Sequence, residues 1–222
     1  MSFTGQTIID GAHALLGDIN VYWLDTFLLN WLNSGLKEIV LLKPNAYVVT
    51  TSVKCAAGTR QSLPAGGLML IDISRNMGVT DGTTPGKVVV PLSKQSLDSS
   101  NPDWHTAASS AVTKHFAYDL RYPKTFYVFP PQPASGQGYL ELIYGASPAP
   151  LAAVADAIVL DEVYENILID YVAYRAYGRD SEDPSHATLS QSHYAAFAAA
   201  LGARVQSEAA IASSMPVGMR AK

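Results

Sequence analysis

IVLLKPNAYVVTTSVKC, residues 39–55, holds the change of period that decides the fold. Up to Leu42 the apolar residues keep helix spacing. Phe27, Leu28, Trp31, Leu32, Leu36, Ile39 and Val40 make the i, i+3, i+4 stripe of an amphipathic helix. Pro44 stops it, because proline lacks the N–H and its ring clashes with the preceding turn. Beyond Pro44 the period falls to two. Tyr47, Val49, Thr51, Val53 and Cys55 alternate with Val48, Thr50, Ser52 and Lys54, the pattern of a strand with one face more buried than the other.

Working outward towards the N-terminus, Asp25 is the expected cap of that helix. An earlier helix carries Ile8, Ile9, Ala12, Leu15 and Leu16, with Thr7 and Asp10 at capping-box spacing and Gly17 at its end. In the other direction, further strands are expected at 67–74, 87–92, 114–119, 125–129 and 139–144. Turn chemistry separates them at 63–66, 81–82, 122–124 and 135–138. Short strands joined by Gly/Pro turns favour an antiparallel sheet or small barrel over βαβ units. Helical spacing returns with Asp161 as cap and Glu162 and Glu165 in the first turn, where the helix dipole favours acid. Val163, Ile167, Tyr171 and Tyr174 form its stripe, and Gly178 ends it. A polar loop over 179–184 leads to a last, Ala-rich helix from near Ser185. The expected fold is α+β: an antiparallel helical bundle from 1–44 and 151–212, an inserted antiparallel β module over 45–150, and a tail at 213–222. Neither helix pair buries its stripe alone, so Trp31 and Leu28 are expected to face Ile167 or Tyr171.

The 222 residues suffice for a core without disulfides or a structural metal. Lys plus Arg number 15 and Asp plus Glu 19, a net charge of −4, unlike a basic nucleic-acid binder. Charged residues are 15% of the chain, against about 25% in an ordinary soluble domain. Hydrophobic residues are 48%, which predicts apolar surface covered by another chain. The single cysteine, Cys55, excludes an internal disulfide framework and reads as a buried structural thiol. No run approaches a membrane span, and the first ten residues lack the basic and apolar regions of a secretory signal. An intracellular, soluble, oligomeric protein is expected.

Catalytic and metal chemistry each fail on a stated requirement. His186 and His193 are seven residues apart, not the i, i+4 of a helical zinc pair. Asp180, Glu182 and Asp183 lack the later Gly and Glu of a calcium loop, since Ser185 and Gln191 stand there. The run from Gly145 to Ala149 is half a nucleophile elbow with Ala in its fifth position. Gly136 and Gly138 lack the third glycine and the helix of a dinucleotide site. His105 after Trp104 reads as a packed loop. Asp156, Asp161, Glu162, Glu165 and Asp170 read as a helix start and a solvated face. No enzyme, metal or cofactor is expected. The aromatics Tyr118, Tyr122, Phe126, Tyr127, Phe129, Tyr139 and Tyr144 crowd one part of the β module and suit a core or a subunit interface; a carbohydrate-binding face is the alternative.

FLLNWLNSGLKEIVLLKPNA (27–46), AGTRQSLPAGGLMLIDISRNMG (57–78), NPDWH (101–105), YDLRYPKTFYVFPP (118–131), LDEVYENILIDYVAYRAYGRDSED (160–183) and SQSHYAAFAAALG (190–202) together resemble the head-to-tail adaptor proteins of short-tailed bacteriophages, the tail-tubular-protein-A-like group. The resemblance spans nearly the whole chain. It implies a virion structural protein that assembles as a dodecameric ring between the portal and the tail nozzle. The ring continues the DNA channel and passes DNA without specific binding. A net negative charge fits such a channel, since a basic lining would hold phosphates. The tail from about Ala203 is expected to be an adaptable extended segment that orders against the portal. Met215, Pro216, Val217, Met219 and Arg220, with Tyr122 and Tyr127, are the expected subunit or portal contacts. The runner-up is a tail-associated carbohydrate- or host-receptor-binding module.

Overall fold

In a computed structural model the described residues are 3–18, 20–179 and 184–214, with side chains described up to 210. The helices are α1 (Gly5–Leu16), α2 (Asp25–Leu42), α3 (Lys94–Ser100), α4 (Glu165–Arg179) and α5 (Pro184–Ser214). The strands are β1 (Val48–Lys54), β2 (Gly58–Ser62), β3 (Gly67–Asn76), β4 (Val90–Pro91), β5 (His115–Tyr118), β6 (Thr125–Gln132) and β7 (Tyr139–Ala146). The fold is α+β, as the change of period at Pro44 predicts. Contacts divide the chain into two compact units. One combines the chain up to Lys43 with the chain from Pro148; the other is Pro44–Ser147.

In the first unit α1 and α2 both pack on α4, and α4 packs on α5. Ile8, Ile9, Leu28, Leu32, Leu36, Ile39, Leu168, Val172 and Phe197 are fully or almost fully buried. Trp31 is only half-buried, with ring contacts to the buried Trp23 and to Phe27, whereas Leu28 is fully buried. The close approach is at Gly35, where a Cβ would lie 2.8 Å from Cδ1 of Tyr171 and 3.4 Å from Cδ2 of Leu168. Val163 is also displaced from its expected place: it is 49% exposed, and Tyr164 takes the buried position at 2%. A 3-10 turn over Glu162–Tyr164 precedes α4, while Ile167 and Tyr171 are buried as expected. Asp161 does cap it, accepting from the Val163 N–H at 3.2 Å. The caps of the first two helices differ from expectation. Thr4 precedes α1, while Thr7 lies inside it. Leu24 precedes α2, and the Asp25 carboxylate instead meets His13 Nε2 at 2.9 Å, tying α2 to α1.

In the second unit β7 lies between β1 and β3, both antiparallel to it, and the other sheet has the order β2-β6-β5-β4. One pairing departs from the antiparallel expectation, since β4 runs parallel to β5. The strand expected at 87–92 shrinks to two residues. Val88 bridges to Arg75 of β3, whereas Val90 pairs with His115 of β5, so this segment crosses from one sheet edge to the other. β2 and α3 are additions to the expected elements. Ser93 caps α3, accepting from the Ser96 N–H at 3.0 Å. Leu70, Ile73, Phe116, Phe126, Val128, Leu140, Leu142 and Tyr144 form the core of this unit.

Cys55 is 8% exposed at the end of β1, and burial pushes its thiol up to about 12. The thiolate is the nucleophile. Iodoacetamide at pH 8 should therefore leave Cys55 largely unmodified in the folded protein and label it in urea. Mass spectrometry reads the result, and equal labelling in both states would overturn the burial.

Candidate functional site

The tip between β5 and β6 presents aromatic surface on a rigid frame. Asp119 accepts from the Arg121 backbone N–H at 2.9 Å and from Arg121 Nε at 3.0 Å. The Tyr122 N–H donates to the Asp119 carbonyl at 2.9 Å, and the Thr125 N–H to the Tyr122 carbonyl at 3.0 Å. The Tyr118 hydroxyl donates to the Pro123 carbonyl at 3.1 Å and accepts from the Leu70 N–H at 3.2 Å, fastening the tip to β3. Held in this way, the tip turns Leu120 and Tyr122 outward, at 69% and 68% exposure. Beside them lies an open groove of about 360 Å³ lined by Lys94, Tyr118, Asp119, Arg121, Tyr122 and Tyr127. Two of the expected contact residues, Tyr122 and Tyr127, are thus brought together. The others, Met215, Pro216, Val217, Met219 and Arg220, lie outside the described residues.

Tyr127 is half-buried, with its ring centroid 5.9 Å from Trp104 and 5.8 Å from His105. Trp104 is fully buried, and its Nε1 donates to Asp98 at 2.9 Å. His105 stacks on Trp104 at 3.7 Å and its Nδ1 meets Thr59 Oγ1 at 2.8 Å. The Asn101–His105 motif is therefore a packed loop, whose role is to support the groove wall. Phe126 and Tyr144 are buried in the sheet core, and of the seven aromatics singled out in the sequence Tyr122 is the exposed one.

Side-chain hydrogen bonding from Arg121 holds the Asp119 carboxyl down at about 2, from the ordinary 3.8. A depressed carboxylate contributes stability that is complete above its ordinary range and lost as pH falls through its folded value. The Arg121 amide resonance should therefore titrate with a midpoint near 2, and Arg121→Ala should move that midpoint towards 3.8. A midpoint near 3.8 in the unsubstituted protein would show that the clasp does not form in solution.

The motifs tested for chemistry are occupied structurally. Gly145 lies where a Cβ would be 2.6 Å from the Pro44 carbonyl oxygen, and Gly138 where it would be 2.1 Å from that of Ala111. Close backbone approach explains both. Asp156 accepts from the Ala152 and Ala153 N–H groups at 2.7 and 2.9 Å. Asp170 meets His193 Nδ1 at 2.9 Å, and Tyr177 has ring contacts with both His186 and His193. Residues 180–183, the calcium-loop fragment, lie outside the described residues. Among the described residues no group of three or more His, Cys, Asp or Glu is placed to hold a metal ion, and no helix is long and apolar enough to cross a membrane.

Two further apolar surfaces escaped the sequence reading. The α1–α2 loop exposes Val21 at 81% and Tyr22 at 64%. It is fixed by Asp18, whose carboxylate accepts from the N–H groups of Val21, Tyr22 and Trp23 at 3.3, 3.2 and 2.8 Å. The Trp23 hydrogen bond, foremost among these, holds the Asp18 carboxyl below its ordinary value. The second surface is α5, which carries no Asp, Glu, Lys or Arg from Pro184 to Ala203 and exposes Leu189 and Tyr194 at 41% and 46%. An Asp followed by Val and Tyr in a short interhelical loop is the signal that would have found the first. The second was legible as an uncharged run.

Residues 3–220 match the family model described as SU10 adaptor protein. No curated protein matches the chain.

Proposed function

From the premise that this chain belongs to the SU10 adaptor protein family, a family of phage structural adaptors rather than catalysts, we propose that it is the head-to-tail adaptor of its virion. It forms a homo-oligomeric ring, dodecameric in the related short-tailed phages, between the portal and the tail nozzle. The ring continues the DNA channel and lets DNA pass during ejection without specific binding. The observation that carries this reading is the family match across 3–220. Physical support comes from large apolar side chains held outward on rigid frames: Val21 and Tyr22 on the Asp18 clasp, Leu120 and Tyr122 on the Asp119 clasp. Fixed apolar groups dock with less entropy loss than mobile ones. Neighbouring subunits meet through the groove of Tyr122 and Tyr127. The C-terminal segment, with Met215, Pro216, Val217, Met219 and Arg220, grips the portal.

Negative-stain images of the protein alone and mixed with its portal test the ring. Rings seated on the portal are expected, and particles that stay single and never attach would overturn the proposal. Removal of residues 213–222 tests the grip: the truncated protein should fold, by circular dichroism, yet fail to attach to portal-bearing heads. Attachment at the level of the full chain would remove the tail from the portal contact.

A carbohydrate-binding reading draws on one feature, the groove that sets three tyrosines beside Lys94, Asp119 and Arg121. Binding to a glycan array that is lost in Tyr122→Ala would favour it over the ring.

A further inference from the structure

Helix α5 has two parts that are held by different chemistry. It is 31 residues long, against 15 for α4, on which it packs, and it stays helical through Ser214, which corrects the expectation of an extended segment from about Ala203. Its inward stripe is His186, Ser190, His193, Phe197, Leu201, Arg204 and Glu208, at steps of three and four residues. Phe197 and Leu201 are the large apolar members, at 0% and 2% exposure. Both precede Gly202. Among the described residues beyond Gly202 no large apolar side chain is buried: Val205 is 41% exposed.

The later part is fastened by a polar cluster. Lys43, at the end of α2, is 6% exposed. Its ammonium donates to the Tyr164 hydroxyl at 2.8 Å and pairs with the Glu208 carboxylate. The Arg204 guanidinium lies over the Tyr164 ring, 5.0 Å from its centroid, and Arg204 Nε stands 3.7 Å from Glu208. That distance is beyond a hydrogen bond, and Arg204 Nε is buried without an acceptor. Two cations therefore share one carboxylate, and one buried donor lacks a partner.

Gly202 stands between the two parts. A Cβ there would meet nothing within 4 Å, so no neighbour requires a glycine. Glycine inside a helix is less favourable than alanine because it loses more backbone freedom on folding. The helix is thus weakest at the point where apolar anchoring ends.

We propose that Gly202 is a hinge and that Lys43, Tyr164, Arg204 and Glu208 form a latch. Together they make the segment Ala203–Ser214 a strap that an acidic partner surface releases. Removing Glu208 alone leaves Lys43 buried and unpaired, which is strongly unfavourable. Release therefore requires a replacement anion at Lys43, since Arg204 leaves with the strap. The partner is a protein surface bearing carboxylates. They displace Glu208 while Phe197 and Leu201 keep the earlier part of α5 docked.

Hydrogen exchange of the full chain, read by mass spectrometry, tests this without the portal. Its failure is thus distinct from failure of the adaptor reading. Glu208→Gln should raise exchange over 203–214 at least tenfold and leave 187–201 unchanged. Gly202→Ala should slow exchange over 203–214 by about fivefold, the equivalent of the propensity difference between the two residues. Poly-L-glutamate should accelerate exchange over 203–214 in the unsubstituted protein more than sodium chloride of equal ionic strength. No change in either variant would overturn the strap. A change spread evenly over all of α5 would also overturn it, since the helix would then move as one piece. Equal effects of poly-L-glutamate and salt would overturn the anion-driven release.

Discussion

A Gly35→Leu variant should lose at least about 3 kcal/mol of stability from the helical unit, by overpacking the α2–α4 contact. The first carbon of the new side chain would already lie 2.8 Å from the Tyr171 ring and 3.4 Å from Leu168. Tyr171 is 5% exposed and Leu168 fully buried, so neither has space to withdraw. Leucine is the better helix former by about 0.8 kcal/mol, which offsets only part of that loss. Gly35→Ala should cost less, because the same propensity gain works against a single methyl group. Trp31→Ala, one turn earlier, should cost about 1–2 kcal/mol, below the 3–5 kcal/mol of a fully buried tryptophan. Urea unfolding followed by circular dichroism orders the three. A larger loss for Trp31→Ala than for Gly35→Leu would mean that α2 presents a different face to α4.

Trp104→Ala should destabilise the β-rich unit by about 4 kcal/mol. The ring is fully buried, stacks on His105 and meets Tyr127 edge-on. Its lost hydrogen bond adds little, because the Asp98 carboxylate is 46% exposed and keeps Lys94 at 2.9 Å. Trp104→Phe, which keeps most of the ring, should cost about 1–2 kcal/mol. The cavity left by Trp104→Ala should also free Tyr127, so the groove should lose its wall. Near-ultraviolet circular dichroism and the urea midpoint read both effects, and a midpoint within error of the parent would show that Trp104 does not anchor this loop.

The elements that the sequence announces are those whose burial is periodic. α2 and β1 flank Pro44 with opposite periods, and both form close to their expected limits. β2 was missed because Gly58–Ser62 is mostly polar and becomes a strand only by pairing with β6. Such pairing is a tertiary property that overrides propensity. The contact at Gly35 was hidden for a related reason. A glycine in an apolar stripe reads as a gap, while its neighbour Trp31 reads as the anchor, yet helices approach most closely where the side chain is absent. The resemblance and the family match converge on a phage adaptor. The rigid tips at Asp18 and Asp119 were beyond reach, since a carboxylate that organises a loop looks in sequence like any solvated acid. On α5 the usual pattern is inverted. Polar His186, Ser190, His193, Arg204 and Glu208 turn inward, and alanines turn out, so amphipathicity gave no guide to its seat.

The Ala146 N–H donates to the Tyr47 carbonyl at 3.0 Å, and Gly145 lies against the Pro44 carbonyl. The two ends of the β-rich unit are thus stitched side by side. The entropic cost of closing such a loop grows only slowly with its length, by about 0.6 kcal/mol for each doubling. The expected consequence is interchangeability: a longer, shorter or unrelated cassette between Pro44 and Ser147 should be tolerated by the helical unit. Divergence within the lineage should accordingly proceed by wholesale replacement of that cassette, and a chimaera carrying a foreign one is the natural experiment to build.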